Sequence, residues 1–325
     1  MDKKKIWKRL IKSRLYTHYP FILSHKVTSL CNARCKICDL WKESEKYKQD
    51  MSKEEIFDML KKADKVGMIE YIVWGGEPLL REDLPDILKF ARESGLYTEL
   101  VTNGMYLKNK YKEIAPFINH ISVSLDAPDD HHDEMRGVKG LFQSAIEGIS
   151  EVQKRGETTI SICFVVSKLN LDKIEGMVHL SNNLGVPVNF EPLVIFPGYN
   201  EELMPSKEEF REAYSKILYF KKSGFPILSS KKYLEIIAKG TTFTCHVPRI
   251  FFEVNARGDS RSCLDDKWGN IKETSFKDIF QSEKYKKFIE QTKGCNKCNV
   301  SCVIENSLLY SFNPELLMDR LKYIT

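Results

Sequence analysis

The feature that most constrains the fold is a regular alternation of strand-like and helix-like segments between residues 24 and 224. The first helical segment begins at a capping box formed by Ser52 and Glu55, and it ends before Gly67. Further helices are predicted over 141–155, 171–184 and 207–222. Strands that alternate with helices form βαβ units and a parallel sheet. The pattern therefore predicts an α/β fold, either a partial (β/α)6 barrel or a doubly wound sheet.

Polar and glycine residues follow the predicted strands at the points where they end. These residues are Cys31, Gly75-Gly76-Glu77-Pro78, Thr102-Asn103-Gly104, Ser124-Leu125-Asp126 and Glu191. Ligands of parallel α/β folds bind at the carboxyl edge of the sheet, where such residues meet. The sequence therefore predicts a ligand site at this rim.

Three cysteines, Cys31, Cys35 and Cys38, follow the first strand with gaps of three and two residues. A closed zinc site or a fully ligated iron–sulfur cluster requires four protein ligands. Either a fourth cysteine lies elsewhere in the chain, or one coordination position is left open. An open position on a [4Fe–4S] cluster suits a chelating small molecule that carries an amine and a carboxylate.

A second group of cysteines lies in the last third of the chain, where the pattern changes. Two short strands around Gly258-Asp259 and one amphipathic helix over 275–291 are predicted there. The cysteines of this group are Cys245, Cys263, Cys295, Cys298 and Cys302. We predict three parts, which are a basic segment over 1–23, a core over 24–224 and a smaller domain over 225–325.

Two features receive a structural rather than a chemical interpretation. Cys163 lies in a strand-like run and is interpreted as a buried apolar residue. His131-His132-Asp133 follows a turn and is interpreted as a solvated helix start.

Composition excludes several classes of protein. The 325 residues are 42% hydrophobic, and the net charge of +5 comes from 50 basic and 45 acidic residues, which does not favour nucleic acid as a partner. The chain contains neither a run of about 20 apolar residues nor the apolar core of a signal peptide, so a cytoplasmic location is predicted. The basic N-terminal segment is predicted to pack on the body of the protein, and peripheral contact with acidic lipid is the alternative.

The Cys-x3-Cys-x2-Cys spacing after the first strand, with Gly-Gly-Glu-Pro ending the second, resembles the signature of the radical S-adenosylmethionine (SAM) superfamily. The resemblance implies a partial (β/α)6 barrel similar to a TIM barrel and a [4Fe–4S] cluster held by Cys31, Cys35 and Cys38. It also implies that SAM binds the fourth iron and is cleaved reductively to a 5′-deoxyadenosyl radical, which abstracts hydrogen from a substrate.

The resemblance also assigns residues to cofactor binding. Gly75, Gly76, Glu77 and Pro78 correspond to the segment that binds the methionine amine of SAM, and Ser124 and Arg136 to residues that bind its carboxylate. Asn103 and Glu191, at the same rim, are assigned to cofactor binding with them. Asp126 is assigned to a contact with the substrate or the ribose, and no other catalytic residue is identified.

The C-terminal cysteines resemble those of the SPASM extension or its shortened twitch form, which carry auxiliary [4Fe–4S] clusters in an α+β unit. Five cysteines can fully ligate one cluster with one to spare. Cys245, Cys263, Cys295 and Cys298 are the preferred ligands. Cys302 either replaces Cys295 or Cys298 or is free. A zinc site with four thiolates is the alternative.

The substrate stays open at this point. A small molecule undergoing oxidation or bond formation is favoured over a peptide or protein side chain and over a lipid or isoprenoid. The expected partners are SAM and an electron donor such as flavodoxin or ferredoxin. A non-catalytic iron–sulfur or zinc protein is the rival from another class, which the open three-cysteine site disfavours.

Overall fold

A computed structural model describes residues 19–261, 263, 267–295 and 298–311. The predicted N-terminal segment lies outside these residues apart from residues 19–23. Between residue 19 and residue 311, leaving out the three short gaps, no helix combines the length and the apolar character needed to cross a membrane.

Nine strands form one sheet in the described part of the chain. They are β1 Ile22–Thr28, β2 Glu70–Gly75, β3 Tyr97–Thr102, β4 His120–Ser124, β5 Thr159–Val166, β6 Val188–Pro192, β7 Phe251–Val254, β8 Asp259–Arg261 and β9 Lys267–Asn270. The strand order is β6-β5-β4-β3-β2-β1-β7-β8-β9. Neighbouring strands from β6 to β7 pair in parallel, whereas β7 with β8 and β8 with β9 pair antiparallel.

Eleven α-helices are described. They are α1 Lys53–Val66, α2 Leu84–Glu93, α3 Leu107–Ile114, α4 His131–Arg136, α5 Leu141–Arg155, α6 Ile174–Leu184, α7 Lys207–Lys222, α8 Lys231–Lys239, α9 Phe276–Gln281, α10 Glu283–Thr292 and α11 Ser301–Tyr310. Short 3-10 helices cover Leu40–Gln49, Pro78–Leu80, Ala115–Phe117, Leu171–Lys173, Glu201–Leu203 and Val247–Arg249.

The strand order decides between the two predicted architectures. The first six strands are neighbours in the order in which they occur along the chain. A doubly wound sheet reverses its order at a switch point, and β1 to β6 contain no such reversal. The fold is therefore the predicted partial (β/α)6 barrel, with all its carboxyl strand ends at one rim.

The two faces of the strands have different environments. Leu23, Val73 and Leu100 point away from the barrel and are completely buried in the main apolar core. The alternate positions, such as Glu99, Cys163 and Glu191, point to the barrel interior and are only partly buried. The interior therefore carries polar side chains around accessible space, and Cys163 belongs to it. The interpretation of Cys163 as a buried apolar residue was wrong, because it lies on the polar face of β5.

Local helix signals are largely confirmed. Ser52 and Glu55 form the predicted capping box, and Gly67 ends α1 with a φ of 90°. The amphipathic segment over 275–291 is not one helix, because Ser282 ends α9 and caps α10 by accepting a hydrogen bond from the Tyr285 N–H. The predicted pair of strands around Gly258 is confirmed as the β7–β8 hairpin.

The C-terminal segment continues the barrel sheet. Strand β7 pairs with β1 from Ile22 to His25, so β1 lies between β2 and β7. A bridge between Val188 and Ile227 adds a contact at the other end of the sheet. The boundary predicted at residue 225 stays a prediction, but backbone hydrogen bonds cross it on both sides of the barrel.

Candidate functional site

The two glycines after β2 let its backbone lie directly on the chain that follows β1. The Gly76 N–H donates to the Thr28 carbonyl at 2.9 Å, and the Glu77 N–H donates to the Leu30 carbonyl at 2.8 Å. A Cβ atom on Gly76 would lie 2.1 Å from the Leu30 carbonyl oxygen. Glycine is therefore required here, because any side chain would separate the segment from the cysteine loop over 31–38.

Glu77 is completely buried, and its assignment to SAM binding stays a prediction. The carboxylate accepts hydrogen bonds from the Thr102 hydroxyl at 2.7 Å, the Asn103 N–H at 2.8 Å and the Leu79 N–H at 3.0 Å. Burial is the largest influence on the pKa of Glu77 and raises it, while these donors oppose the rise. Glu77 thus joins the end of β2 to the end of β3. Pro78, the next residue, is buried as well.

An asparagine pair joins the end of β3 to the cysteine loop. The Asn103 Nδ2 donates to Asn32 Oδ1 at 2.9 Å. The Asn32 Nδ2 is buried and has no hydrogen-bond partner among the described residues. Sequence reasoning overlooked Asn32, and its position between Cys31 and Cys35 was the available signal. An unpartnered amide donor beside three thiols suits a ligand that carries acceptor atoms.

The end of α4 forms the other wall of the cysteine loop. The Arg34 N–H donates to the Arg136 carbonyl at 3.0 Å, and the Lys36 N–H donates to the Met135 carbonyl at 2.8 Å. Gly137 has a φ of 66°, and a Cβ atom there would lie 2.7 Å from the Arg34 carbonyl oxygen. These contacts place Arg136 beside Cys35.

Arg136 and Asp126 form a buried ion pair. The Arg136 Nε lies 2.6 Å from Asp126 Oδ2, and the Val165 N–H donates to Asp126 Oδ1 at 2.9 Å. Burial lowers the pKa of Arg136, but Asp126 and then Cys35 outweigh it, so the pKa stays above its usual range. Both carboxylate oxygens of Asp126 thus have partners within the protein, and Asp126 orients the Arg136 guanidinium. Its direct contact with substrate or ribose stays a prediction.

The imidazole of His132 stabilises the backbone of Asp126. The side chain is completely buried, and its Nδ1 accepts a hydrogen bond from the Asp126 N–H at 3.0 Å. Burial lowers the pKa of His132 to about 4, so the imidazole is neutral at pH 7. The predicted helix start is confirmed, but its solvated character is wrong for His132.

Two distant segments also hold the cysteine loop. Asp50 accepts hydrogen bonds from the N–H and the hydroxyl of Ser29, at 2.7 and 2.8 Å. The Tyr199 hydroxyl donates to the Cys35 carbonyl at 2.7 Å, and the Asn200 Nδ2 donates to the Ile37 carbonyl at 2.9 Å. The loop geometry is therefore fixed by residues up to 164 positions away in the chain.

The three thiols lie close enough to influence each other. Burial raises the pKa of Cys38 to about 11, with smaller contributions from Cys35 and Cys31. Within the described residues, no three His, Cys, Asp or Glu side chains converge closely enough to hold a single metal ion.

Four of the C-terminal cysteines form a second set. The pKa of Cys263 is raised to about 11, mainly by burial. The thiols of Cys245, Cys298 and Cys295 are the next largest influences, and each of them raises this pKa as well. Cys302 is exposed and differs from this set in its neighbours. The groups that act on it electrostatically are Glu191, Cys298, Glu99 and Cys163, and three of these four lie on strands of the barrel.

Ser124 and Glu191 occupy different parts of the predicted site. Ser124 ends β4 and is 9% exposed. Glu191 lies on β6, where its carboxylate accepts hydrogen bonds from Ser301 at the start of α11. The structure brings the strand-end residues and Arg136 together around the cysteine loop, whereas Glu191 contacts the C-terminal helix. Their contacts with a cofactor stay predictions.

Comparison with known proteins identifies the family. Residues 26–181 match the radical SAM superfamily. These residues form a radical SAM domain. Residues 195–320 match a domain of unknown function, DUF3463, which is consistent with an auxiliary-cluster domain. The superfamily comprises enzymes that use a [4Fe–4S] cluster and SAM, and the three thiols with an open side fit that cluster.

Relatives of this radical SAM protein include two curated enzymes. The chain is 29% identical over 201 residues to the Fe-coproporphyrin III synthase of Methanosarcina barkeri, which covers 59% of this chain and 49% of that protein. It is 25% identical over 310 residues to the AdoMet-dependent heme synthase of Oleidesulfovibrio alaskensis, which covers 85% and 79%. The match thus spans about half the length of the first relative.

The fold also matches a solved structure. The crystal structure of Streptococcus suis SuiB bound to S-adenosylmethionine superimposes with a TM-score of 0.70 at 18% identity. The match covers 88% of this chain and 71% of that chain. This likeness supports the partial barrel fold.

Replacing Gly76 by alanine is expected to weaken SAM binding by a factor of about 5 to 150, because overpacking here costs about 1–3 kcal/mol. The affinity is measured by calorimetry on the reconstituted protein. Gly185→Ala is the control. A Cβ atom at Gly185 has no neighbour within 4 Å, so this substitution strains the backbone, whose φ is 65°, without overpacking. Equal affinities for the wild-type protein and Gly76→Ala would contradict the role of this backbone contact.

Proposed function

We propose that this radical SAM enzyme oxidises a small-molecule substrate by two electrons. The observation that carries the proposal is the three-thiol loop, which follows a backbone segment paired with Gly76 and Glu77 and whose Cys35 lies beside Arg136. In the proposal Cys31, Cys35 and Cys38 hold the cluster that binds SAM. Cys245, Cys263, Cys295 and Cys298 hold an auxiliary [4Fe–4S] cluster.

When bound, SAM and the first cluster supply a 5′-deoxyadenosyl radical for hydrogen abstraction, and the auxiliary cluster supplies a one-electron acceptor. The residues of this chain orient these groups. The Arg136 guanidinium has one nitrogen on Asp126, and its remaining N–H groups are available for the carboxylate of SAM. The backbone of Gly75 and Gly76 would hold the amine of SAM, and Ser124 would assist at its carboxylate. Asn103 orients Asn32 toward the same space.

The number of C-terminal thiols supports electron transfer over substrate binding. Cys245, Cys298 and Cys295 all act electrostatically on Cys263, and these four thiols are enough to ligate one cluster fully without Cys302. A fully ligated cluster has no position for a substrate atom. The second electron of the substrate therefore leaves through this cysteine set. This route favours a net oxidation, such as alcohol to ketone, over a redox-neutral rearrangement.

The curated relatives support a small molecule as the substrate. Their names concern Fe-coproporphyrin III and heme, so tetrapyrroles are the first probes to test, followed by amino alcohols and sugars. An electron donor such as flavodoxin or ferredoxin is proposed to reduce the protein. Peptide modification rests on fold similarity alone and is the second choice.

Iron content tests the two-cluster proposal. Anaerobic reconstitution is expected to give about eight irons per chain, from two four-iron clusters. Substitution of Cys31, Cys35 and Cys38 by Ala, or of Cys245 and Cys263 by Ala, is expected to leave about four. The measurement is iron, zinc and sulfide analysis. Stoichiometric zinc together with four irons in the wild-type protein would contradict the auxiliary cluster.

Removing the Arg136 guanidinium is expected to weaken SAM binding at least tenfold, because hydrogen bonds between charged groups contribute about 1.5–3 kcal/mol. Arg155→Ala is the matched control, since Arg155 pairs with Glu151 on the surface of α5. Calorimetry gives the affinity, and iron content is measured in parallel because Arg136 contacts Cys35. Unchanged affinity of Arg136→Ala would remove Arg136 from the SAM site.

The double variant Cys245→Ala with Cys263→Ala is expected to release 5′-deoxyadenosine after reduction without forming oxidised product. The first cluster is intact in this variant, whereas the route for the second electron is lost. Both compounds are followed by chromatography with each substrate probe that the wild-type protein converts. Cys35→Ala is the control and should release no 5′-deoxyadenosine. Wild-type product yield from a variant lacking the second cluster would refute the electron-transfer role.

A further inference from the structure

The carboxylate of Glu191 binds the first residue of α11 with both oxygens. The Ser301 N–H donates to Glu191 Oε2 at 3.0 Å, and the Ser301 hydroxyl donates to Glu191 Oε1. The Asn189 Nδ2 also donates to Glu191 Oε1 at 2.7 Å. A carboxylate that accepts an N–H at a helix start also interacts favourably with the helix dipole. A side chain of β6 therefore caps a helix that lies 110 residues later in the chain.

Residues of β6 and α8 hold the same turn from the other side. The Tyr233 hydroxyl donates to the Asn299 carbonyl at 3.1 Å, and Tyr233 is completely buried. The Ser229 hydroxyl donates to Asn189 Oδ1 at 2.7 Å, which fixes the amide that supports Glu191. The turn from Cys298 to Ser301 is thus held by both the barrel and α8.

This turn separates two cysteines that could otherwise exchange roles. Cys298 precedes Ser301 and interacts electrostatically with Cys245 and Cys295. Cys302 follows Ser301 and is exposed. Glu191 acts on it electrostatically, followed by Cys298, Glu99 and Cys163, so Cys302 lies near enough to Cys298 to compete with it. The two cysteines are four residues apart in the chain, and Ser301, whose N–H is held by Glu191, lies between them.

We propose that Glu191 is a positioning residue whose contact with Ser301 keeps Cys298 in the four-thiol set and holds Cys302 outside it. This role rests on the proposed auxiliary cluster and replaces a cofactor contact of Glu191. The carboxylate acts through Ser301 and touches no cysteine in the described hydrogen-bond network. Its loss leaves the first turn of α11 without its cap, and Cys302 then competes for the cluster.

The test uses the full-length protein carrying Cys31→Ala, Cys35→Ala and Cys38→Ala as the parent, so that only the C-terminal cysteines can bind iron. Glu191→Ala, Glu191→Gln, Ser301→Ala and the double variant Glu191→Ala with Ser301→Ala are compared with the parent. Glu209→Gln is the matched control, because Glu209 also accepts an N–H at a helix start, that of Ser206 at 2.8 Å, but on the surface. The readouts are iron content, the electron paramagnetic resonance spectrum and N-ethylmaleimide labelling of each cysteine by mass spectrometry.

In the parent, Cys302 should be labelled and Cys298 protected. In Glu191→Ala, labelling of Cys298 should rise about tenfold or more, because loss of a hydrogen bond to a charged group shifts a local equilibrium by at least that factor. The cluster spectrum should become heterogeneous, and Glu191→Gln should be intermediate because one acceptor oxygen is kept. Labelling of Cys298 in the double variant should not exceed that in Glu191→Ala, since both substitutions break the same contact.

Parent-like labelling and an unchanged spectrum in Glu191→Ala would overturn the inference. Labelling is repeated on iron-free protein, where the tenfold rise at Cys298 is expected as well. A parent without iron would refute the auxiliary cluster, but the labelling of the iron-free variants would still decide the role of Glu191.

Discussion

The site depends on one backbone hydrogen bond, from the Glu77 N–H to the Leu30 carbonyl at 2.8 Å. This bond joins the chain after β2 to the chain after β1 at a point where Gly76 has no room for a side chain. It also turns Glu77 toward the end of β3, where its carboxylate meets Thr102 and Asn103. Asn103 in turn binds Asn32 within the cysteine loop. Three strand ends are thus coupled in a closed circuit of hydrogen bonds, so that moving one of them disturbs the others.

The electrostatic balance of the rim follows from this geometry. Arg136 is held beside Cys35 by backbone pairing between α4 and the cysteine loop, and Asp126 compensates part of its charge. A buried cation without a partner would be costly, but a completely neutralised one would attract no anion. With Asp126 on one nitrogen only, the guanidinium keeps donors for anionic groups in the loop, such as thiolates. Neutral His132 fixes the backbone of Asp126 without adding charge.

The sequence predicts the parts of the fold that local chemistry controls. Capping of α1 by Ser52 and Glu55, the glycines after β2 and the alternation of strands and helices all depend on neighbours within a few residues. Contacts between distant residues leave no such signal. Asp50, Tyr199 and Asn200 hold the cysteine loop, yet each lies in a segment without a motif. The burial of Glu77 and the interior position of Cys163 could not be predicted either, because the side of a strand that faces the barrel depends on register with its neighbours.

The pairing of β1 with β7 limits how this protein can be divided. Strand β1 carries the chain into the cysteine loop and has hydrogen-bonded neighbours on both sides. Suppose that the segment after residue 225 were exchanged for that of a relative. If the new segment supplied no strand that pairs with β1, β1 would become an edge strand with open backbone donors and acceptors. Such edges recruit strands from other molecules and promote aggregation. A functional chimera must therefore transfer β7, β8 and β9 in a register that fits β1, which makes strand pairing, rather than the cysteine pattern, the first condition for recombining these two parts.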